Sequence, residues 1–229
     1  LKDEMLIRSY TPTRPILPAS NSQNGSCQEK TKSSPEDGHG TFEITVKTYF
    51  PNENQPGGAL SNILDCMPIG EEVELKGPTG EIVYIGNGNF VIEDKERHFD
   101  KVSLVLGGSG LTPGYSLLAR ILLTKGDKTQ IRVVDANNSE GDILLWDKLD
   151  EFERQSNGQL RITHVLSHPG DDWKGERGHI NPDIIKANLF EPTDDAVTFL
   201  CGPPAMIQKA ALPALRGKTW DTDFCVYCY

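Results

Sequence analysis

The sequence predicts two domains of different class: an antiparallel, β-rich region over residues 1–98, then an α/β domain on a parallel sheet over 99–229. Three observations carry this. Thr41–Phe50 alternates strictly, with Phe42, Ile44, Val46 and Thr48 on one side and Glu43, Thr45 and Lys47 on the other, the period of a half-buried antiparallel strand. Residues 102–124 open as a buried strand, break at Gly107–Gly108 and resume after Pro113 at helical spacing. From about Phe99 onward, near-continuous apolar strands alternate with amphipathic helices, the pattern of a parallel sheet covered on both faces.

Taken in order, residues 16–40 are rich in Ser, Asn, Gly, Pro and charge, and are expected to form a disordered surface loop. After the 41–50 strand, Pro56-Gly57-Gly58 leads into a short helix with Leu60, Ile63, Leu64 and Met67 on one face. Two further strands are expected at Glu71–Lys76 and Glu81–Ile85, around the turn sequence Gly77-Pro78-Thr79-Gly80. The second half then reads as strand 102–106, helix 114–124, strand 130–135, helix 142–156, strand 160–166 and helix 181–189. Asn181 is placed as N-cap of that helix, with Pro182 at its first position. Strand 196–201, helix 204–216 and a last strand near 224–227 complete a sheet of five parallel strands. No internal repeat is visible.

Composition narrows the function. A net charge of −10 argues against a nucleic-acid backbone as partner. No apolar run approaches the roughly 20 residues of a membrane helix, and no charged segment followed by an apolar one opens the chain. The five cysteines are odd in number and scattered, which fits reduced thiols in a cytosol. Cys225 and Cys228 have redox spacing but no second pair, so no metal site is expected.

The chemistry gathers at strand ends. A strand that turns through Gly108, Ser109 and Gly110 into a helix N-terminus offers unpaired N–H groups to an anionic group. Pro113 stands where a dinucleotide fingerprint would carry its third glycine, so the loop alone says only that a nucleotide could bind. Ligands of parallel sheets lie beyond the carboxyl ends of the strands. Gly107–Thr112, Ala136–Asn138, Ser167–His168 and Cys201–Pro204 all fall there.

Four motifs occur in order: Arg8-Ser9-Tyr10-Thr11, Gly57-Gly58 through Ser61, Gly107-Gly108-Ser109-Gly110-Leu111-Thr112-Pro113, and Cys201-Gly202-Pro203-Pro204. Their order and spacing resemble the ferredoxin–NADP reductase superfamily, within it the NADH–cytochrome b5 reductase branch. Closer still is the C-terminal flavin module of eukaryotic assimilatory nitrate reductases, above all the fungal NADPH type. The likeness covers nearly the whole chain outside 16–40.

The resemblance implies an antiparallel β-barrel for FAD, incomplete at its N-terminus as the chain stands, followed by the nucleotide domain. It implies FAD and NADPH as cofactors, with NADH as the alternative donor, and hydride passing from the nicotinamide to the flavin. Arg8 would meet the FAD pyrophosphate with a planar fork of donors. Ser9, Tyr10 and Thr11 would hold the isoalloxazine, with Thr45, Lys47 and Phe50 along the flavin wall. Gly58, Leu60 and Ser61 would approach the pyrophosphate, and Thr112 would reach the flavin from the second domain. Ala59 stands where cytochrome b5 reductases often carry lysine, so that contact is absent. Gly108, Ser109, Gly110, Ala136, Asn137, Gly202, Pro203, Pro204 and Met206 would line the NADPH crevice. Cys201 would sit beside the nicotinamide and orient it without forming a covalent bond. Ser167 falls where NADH-preferring relatives typically carry an aspartate. His168 follows it, Lys174 and Arg177 stand a short loop away, and Asp171 and Asp172 could restore negative charge.

The partner implied is a cytochrome b5-type haem domain, and the haem and molybdopterin domains of a nitrate reductase would lie upstream. A homodimer through those domains is compatible with this, and the location implied is the cytoplasm. Two alternatives stay open at this point: a free-standing NADH–cytochrome b5 reductase, and a non-catalytic nucleotide-binding fragment.

Overall fold

The computed structural model describes residues 6–14, 41–51, 53 and 56–216, and the backbone of 225–228. The expected loop at 16–40 lies outside these residues. The elements run β1 (Pro12–Arg14), β2 (Glu43–Ile44), α1 (Ala59–Cys66), β3 (Ile82–Gly86), β4 (Asn89–Ile92), β5 (Lys95–His98), β6 (Lys101–Gly107), α2 (Leu111–Leu123), β7 (Gln130–Asn137), α3 (Trp146–Gln155), β8 (Leu160–Leu166), β9 (Glu176–Arg177), α4 (Pro182–Asn188), β10 (Ala196–Cys201) and β11 (Cys225–Cys228). The helix after β10 changes winding along its length: α-helical at Pro204–Met206 (α5), π-helical at Ile207–Ala211, and α-helical again at Leu212–Arg216 (α6).

The second half forms one parallel sheet of six strands, ordered β11-β10-β6-β7-β8-β9. It adds the two-residue β9 to the five strands read from the sequence. The chain walks from β6 through β7 to β8 on one side, then crosses back to place β10 on the other side of β6. That reversal puts the switch point of the sheet between β6 and β10, where a ligand crevice opens. Strand residues alternate between two apolar layers. Leu104 and Leu106 of β6 pack with Leu118, Ile121, Phe199 and Cys201 under α2 and α3. Val105, Val134, Val165 and Leu200 pack with Ile184, Ile185 and Leu215 on the opposite face.

The predicted helix ends hold in part. Asn181 caps α4 by accepting from the Asp183 and Ile184 nitrogens, both at 3.0 Å. The helix expected from residue 142 begins only at Trp146, after a short 3-10 turn at Glu140–Asp142. Leu145 takes φ 54°, a left-handed conformation costly for a side chain with a Cβ, and this breaks the helix between the two pieces.

The first half departs further from expectation. Of the strand expected over 41–50, only Glu43–Ile44 pairs, against β1. Residues 71–76 form no strand, and Val73 and Leu75 are exposed. Alternation without a partner to fill its ladder does not make a sheet. On α1 the face read as buried is only half so, with Ile63 exposed and Ser61 the buried residue. Conversely, β4 and β5 join β3 in an antiparallel meander where one strand was expected.

That meander packs on the parallel sheet. The Phe90 ring is fully buried, 4.8 Å from Tyr84, 5.9 Å from Phe99 and 5.6 Å from Phe199 on β10. A polar clasp fixes its turn: the Tyr84 hydroxyl donates to Asp127, and Asp127 also accepts from the Asn87 nitrogen (2.8 Å) and the Thr129 hydroxyl (2.6 Å). Burial, then the Asp127 carboxylate, pushes the Tyr84 phenol up to about 12. A raised pKa means stability that is whole below the ordinary value near 10 and lost as pH rises through the folded value. Alkaline titration is therefore expected to leave the protein folded to about pH 10, and then to remove stability as Tyr84 ionises. In Tyr84→Phe the ultraviolet phenolate signal should lose its latest component, and urea unfolding should show a loss of about 1–2 kcal/mol, because Asp127 loses a donor.

Candidate active site

The site is built where β6 and β10 end. The loops that follow touch backbone to backbone. A Cβ on Gly110 would sit on the Cys201 carbonyl and 2.7 Å from the Gly202 nitrogen; one on Gly202 would lie 3.1 Å from both the nitrogen and Cα of Gly107. One on Gly107 would strike the Met206 sulfur at 2.5 Å. These three glycines therefore let two loops interlock. Gly108 instead supplies conformation, at φ 53°, with the Tyr49 hydroxyl 3.7 Å from where a Cβ would sit. Gly110 and Thr112 are buried and Ser109 is exposed at the crest, and the Thr112 hydroxyl closes the turn on the Ser109 carbonyl at 3.3 Å. Cys201 is buried on the α2 face, 5% exposed, with Gly202, Pro203 and Pro204 rising above it.

The loops after β7 and β8 join the same edge. The Asn137 amide donates to the buried Asp135 at 2.9 Å, and Asp135 also pairs with His164 Nδ1 at 3.0 Å. Ala136 is half-buried beside them. Neither Asp135 nor His164 was singled out in the sequence, where no spacing links residues of neighbouring strands. Their Cα atoms are register partners between β7 and β8. The Ser167 hydroxyl lies 3.2 Å from Asn138 Oδ1 and 3.0 Å from His168 Nδ1, and no carboxylate bonds to it. Arg177 is committed to the loop itself: one of its terminal nitrogens donates to the Gly170, Asp171 and Trp173 carbonyls, each at 3.0 Å. Lys174, Asp171 and Asp172 are exposed.

The other wall comes from the first half. Arg8 is exposed, and among the described residues its guanidinium bonds only to the Ile7 carbonyl, 2.7 Å away. Ser9 is exposed, and Tyr10 and Thr11 are half-buried; burial raises the Tyr10 phenol while Arg8 opposes it. Thr45 shares a 3.0 Å hydroxyl contact with buried Thr13. Residues 49–51 and 57–62 form one unit: the Gly58 nitrogen donates to the Tyr49 carbonyl at 2.8 Å, and Asn62 Nδ2 donates to the same carbonyl at 2.9 Å. The Ser61 hydroxyl donates to the Gly58 carbonyl at 3.2 Å, and Leu60 is half-buried. Phe50 is 63% exposed.

Two side chains of this wall reach the nucleotide loops. The Tyr49 hydroxyl meets Ser109 Oγ at 3.3 Å, and Lys47 Nζ meets Asp142 Oδ1 at 2.7 Å. The Lys47 hydrogen bond, together with Ser139, holds the Asp142 carboxyl below its ordinary range. Lys47 is thus turned to a carboxylate of the second half, a partner the sequence did not suggest.

A cationic fork at Arg8 with little engagement among the described residues and exposed aromatic surface at Phe50 fit a large planar cofactor carrying a pyrophosphate. The comparisons agree. Residues 16–84 match the family model described as an oxidoreductase FAD-binding domain, and 104–211 that of an oxidoreductase NAD-binding domain. The cytochrome b5 reductase domain of Ulva prolifera nitrate reductase superposes with a TM-score of 0.79 at 31% identity, over 82% of this chain and 73% of that one. The chain belongs to the cytochrome b5 reductase domains of the nitrate reductase family. Nitrate reductase [NADH] 1 of Zea mays is 36% identical over 96% of the chain, and nitrate reductase [NADPH] of Aspergillus niger 33% over 95%. The chain spans 34% and 22% of those two relatives. As a member, this reductase module is an NAD(P)H-dependent FAD oxidoreductase with the two-domain fold read from its sequence.

The glycine interlock makes a testable claim about packing. Gly110→Ala forces a methyl group against backbone on the facing loop and is expected to cost about 1–3 kcal/mol by urea unfolding. Gly141→Ala, where nothing lies within 4 Å of the added carbon, should stay within about 0.5 kcal/mol of wild type.

Proposed function

We propose that this module is the electron input of a nitrate reductase, with residues 1–98 holding FAD and 99–229 holding the nicotinamide dinucleotide. Electrons would leave to a cytochrome b5-type haem domain and serve nitrate reduction in the cytosol. The observation that carries this is the meeting of the two walls at Tyr49 and Ser109, which brings the flavin-side motif and the nucleotide loop to one crevice. That meeting disfavours a module that binds nucleotide without flavin. Consistent with a cytosolic place, no helix among the described residues is long and apolar enough to cross a membrane.

In this reading, Arg8 binds the FAD pyrophosphate, helped by the backbone at Gly58, Leu60 and Ser61. Ser9, Tyr10, Thr11, Thr45 and Phe50 enclose the ring, with the stem of Lys47 beside them and Thr112 on the far side. Gly108, Ser109, Gly110, Ala136, Asn137, Gly202, Pro203, Pro204 and Met206 line the dinucleotide path. Bound FAD would supply the chemistry of accepting a hydride and releasing electrons one at a time. The residues supply orientation and dryness. Cys201, at the end of β10, would lie beside the nicotinamide and help orient it. Purified module with its FAD, mixed with NADPH, should lose its visible flavin band, and a band that stays unchanged refutes the reading. Cys201→Ser is expected to keep that band yet reduce it at least tenfold more slowly at saturating nucleotide.

NADPH is the proposed donor. Ser167 puts no carboxylate at the ribose position, so a 2′-phosphate meets no repulsion there. One terminal nitrogen of Arg177 is bonded to loop carbonyls, and with Lys174 its charge stands a short loop away to supply attraction. Ser167→Asp should move the ratio of kcat/KM toward NADH by about tenfold or more, comparable to one pairwise charge interaction in partly screened surroundings. A wild-type preference for NADH would refute the choice.

A further inference from the structure

The flavin-side wall is joined to the nucleotide loops by polar contacts of two side chains that lie close in sequence. Lys47 and Tyr49 both come from residues 45–51, which belong to no strand or helix. Their partners, Asp142 and Ser109, lie 95 and 60 residues away in the chain. Thr45 holds the segment to Thr13 and the Tyr49 carbonyl holds it to Gly58 and Asn62, while the Lys47 and Tyr49 side chains carry it across to the nucleotide loops.

Asp142 is prepared for that task. Its Oδ2 accepts from the Ser139 nitrogen at 3.1 Å and the Ser139 hydroxyl at 2.8 Å, a reciprocal cap on the turn after β7. With Oδ2 so engaged, Oδ1 faces Lys47 at 2.7 Å. Both side chains are largely withdrawn from water, 19% exposed for Lys47 and 27% for Asp142. The same turn reaches onward, because Glu140 Oε1 accepts from the Gly170 nitrogen at 3.0 Å in the loop after β8. One ion pair thus ties the flavin-side segment to the loops after both β7 and β8.

We propose that Asp142 is a positioning residue: through Lys47 it latches segment 45–51 onto the nucleotide loops and so sets the approach of the two cofactor rings. This rests on the functional reading above. Hydride transfer needs its reacting atoms at near-contact, and a misplacement of about 1 Å can cost on the order of 100-fold. Asp142 is assigned to neither cofactor in that reading, so its loss should appear in the rate and not in binding.

The test pairs amide exchange with rapid-mixing kinetics on the FAD-loaded protein. Lys47→Met should raise exchange at residues 138–142, and Asp142→Asn should raise it at 45–51, each effect crossing the contact. Flavin reduction in Asp142→Asn should slow about tenfold or more, with FAD content and nucleotide Kd unchanged. Asp142→Glu should recover part of the rate, and so should the exchanged pair Lys47→Asp with Asp142→Lys. High salt should slow the wild type toward Asp142→Asn. Unchanged exchange in both single variants overturns the latch whatever the activity. Loss of nucleotide affinity without a change in exchange overturns it too, by making Asp142 a ligand contact. If wild-type flavin is not reduced by either nucleotide, the functional reading fails, while the exchange data still decide whether the pair joins the two walls.

Discussion

The structure depends on one steric constraint: the loops after β6 and β10 approach until only glycine fits between them. Parallel strands adjacent at a switch point splay their loops apart, and a crevice there is ordinarily open. Here Gly107 and Gly110 meet Cys201 and Gly202, so the floor of the crevice is closed by backbone. A floor made of main chain has no rotamers, and the groups above it inherit that rigidity. Cys201 is held by its strand below and by the Gly-Pro-Pro turn above, and Ser109 is lifted to the crest where Tyr49 meets it. The glycines first read as room for a phosphate are, at two of the three positions from 107 to 110, room for the neighbouring loop. Gly108 alone meets nothing closer than the Tyr49 hydroxyl, 3.7 Å from where its Cβ would sit.

What was legible in the sequence follows from which interactions are local. Strands β6, β8 and β10 lie within a residue of their predicted limits, and β6 and β10, buried on both faces, announce themselves without reference to their neighbours. The Asn181–Pro182 cap was legible for the same reason. Residues 41–50 and 71–76 show the opposite case, since an alternating pattern states only that a strand would have one wet face. Whether it becomes one is decided by a partner elsewhere in the chain. The meander was missed although it carried a signal: Asn87-Gly88, at φ 50° and 75°, is the pair that a tight hairpin turn favours. The turn at Glu93–Asp94, also left-handed at both residues, carried a weaker one, because Asp tolerates that conformation but Glu does not favour it and no glycine marks the turn. In the site, the motif residues were readable as motifs. The Lys47–Asp142 and Asp135–His164 pairs were not, because both exist only once distant strands and loops have docked.

Charge is used locally and not globally. A chain of net charge −10 that handles phosphate-bearing cofactors has to place its cations with care. Arg177 shows that a cation near such a site need not face the ligand: its donors go to three carbonyls and fix the loop behind Ser167. Arg8 is the reverse, a side chain with little engagement of its own among the described residues. The distinction could not be made from composition, which counts both arginines alike.

The two walls of the crevice are held by different kinds of force. The meander is bonded to the parallel sheet through Phe90, Phe99 and Phe199, in a core that continues across the change of sheet near residue 99. Sliding those rings apart would expose buried aromatic surface, at a cost of about 1.5–3 kcal/mol for each ring uncovered. The segment that carries Lys47 and Tyr49 reaches the loops after β6 and β7 by an ion pair and a hydroxyl contact, groups that water satisfies nearly as well when they part. In the proposed function a dinucleotide binds at this edge, where the spanning contacts are polar. The apolar contacts lie below, where nothing has to pass.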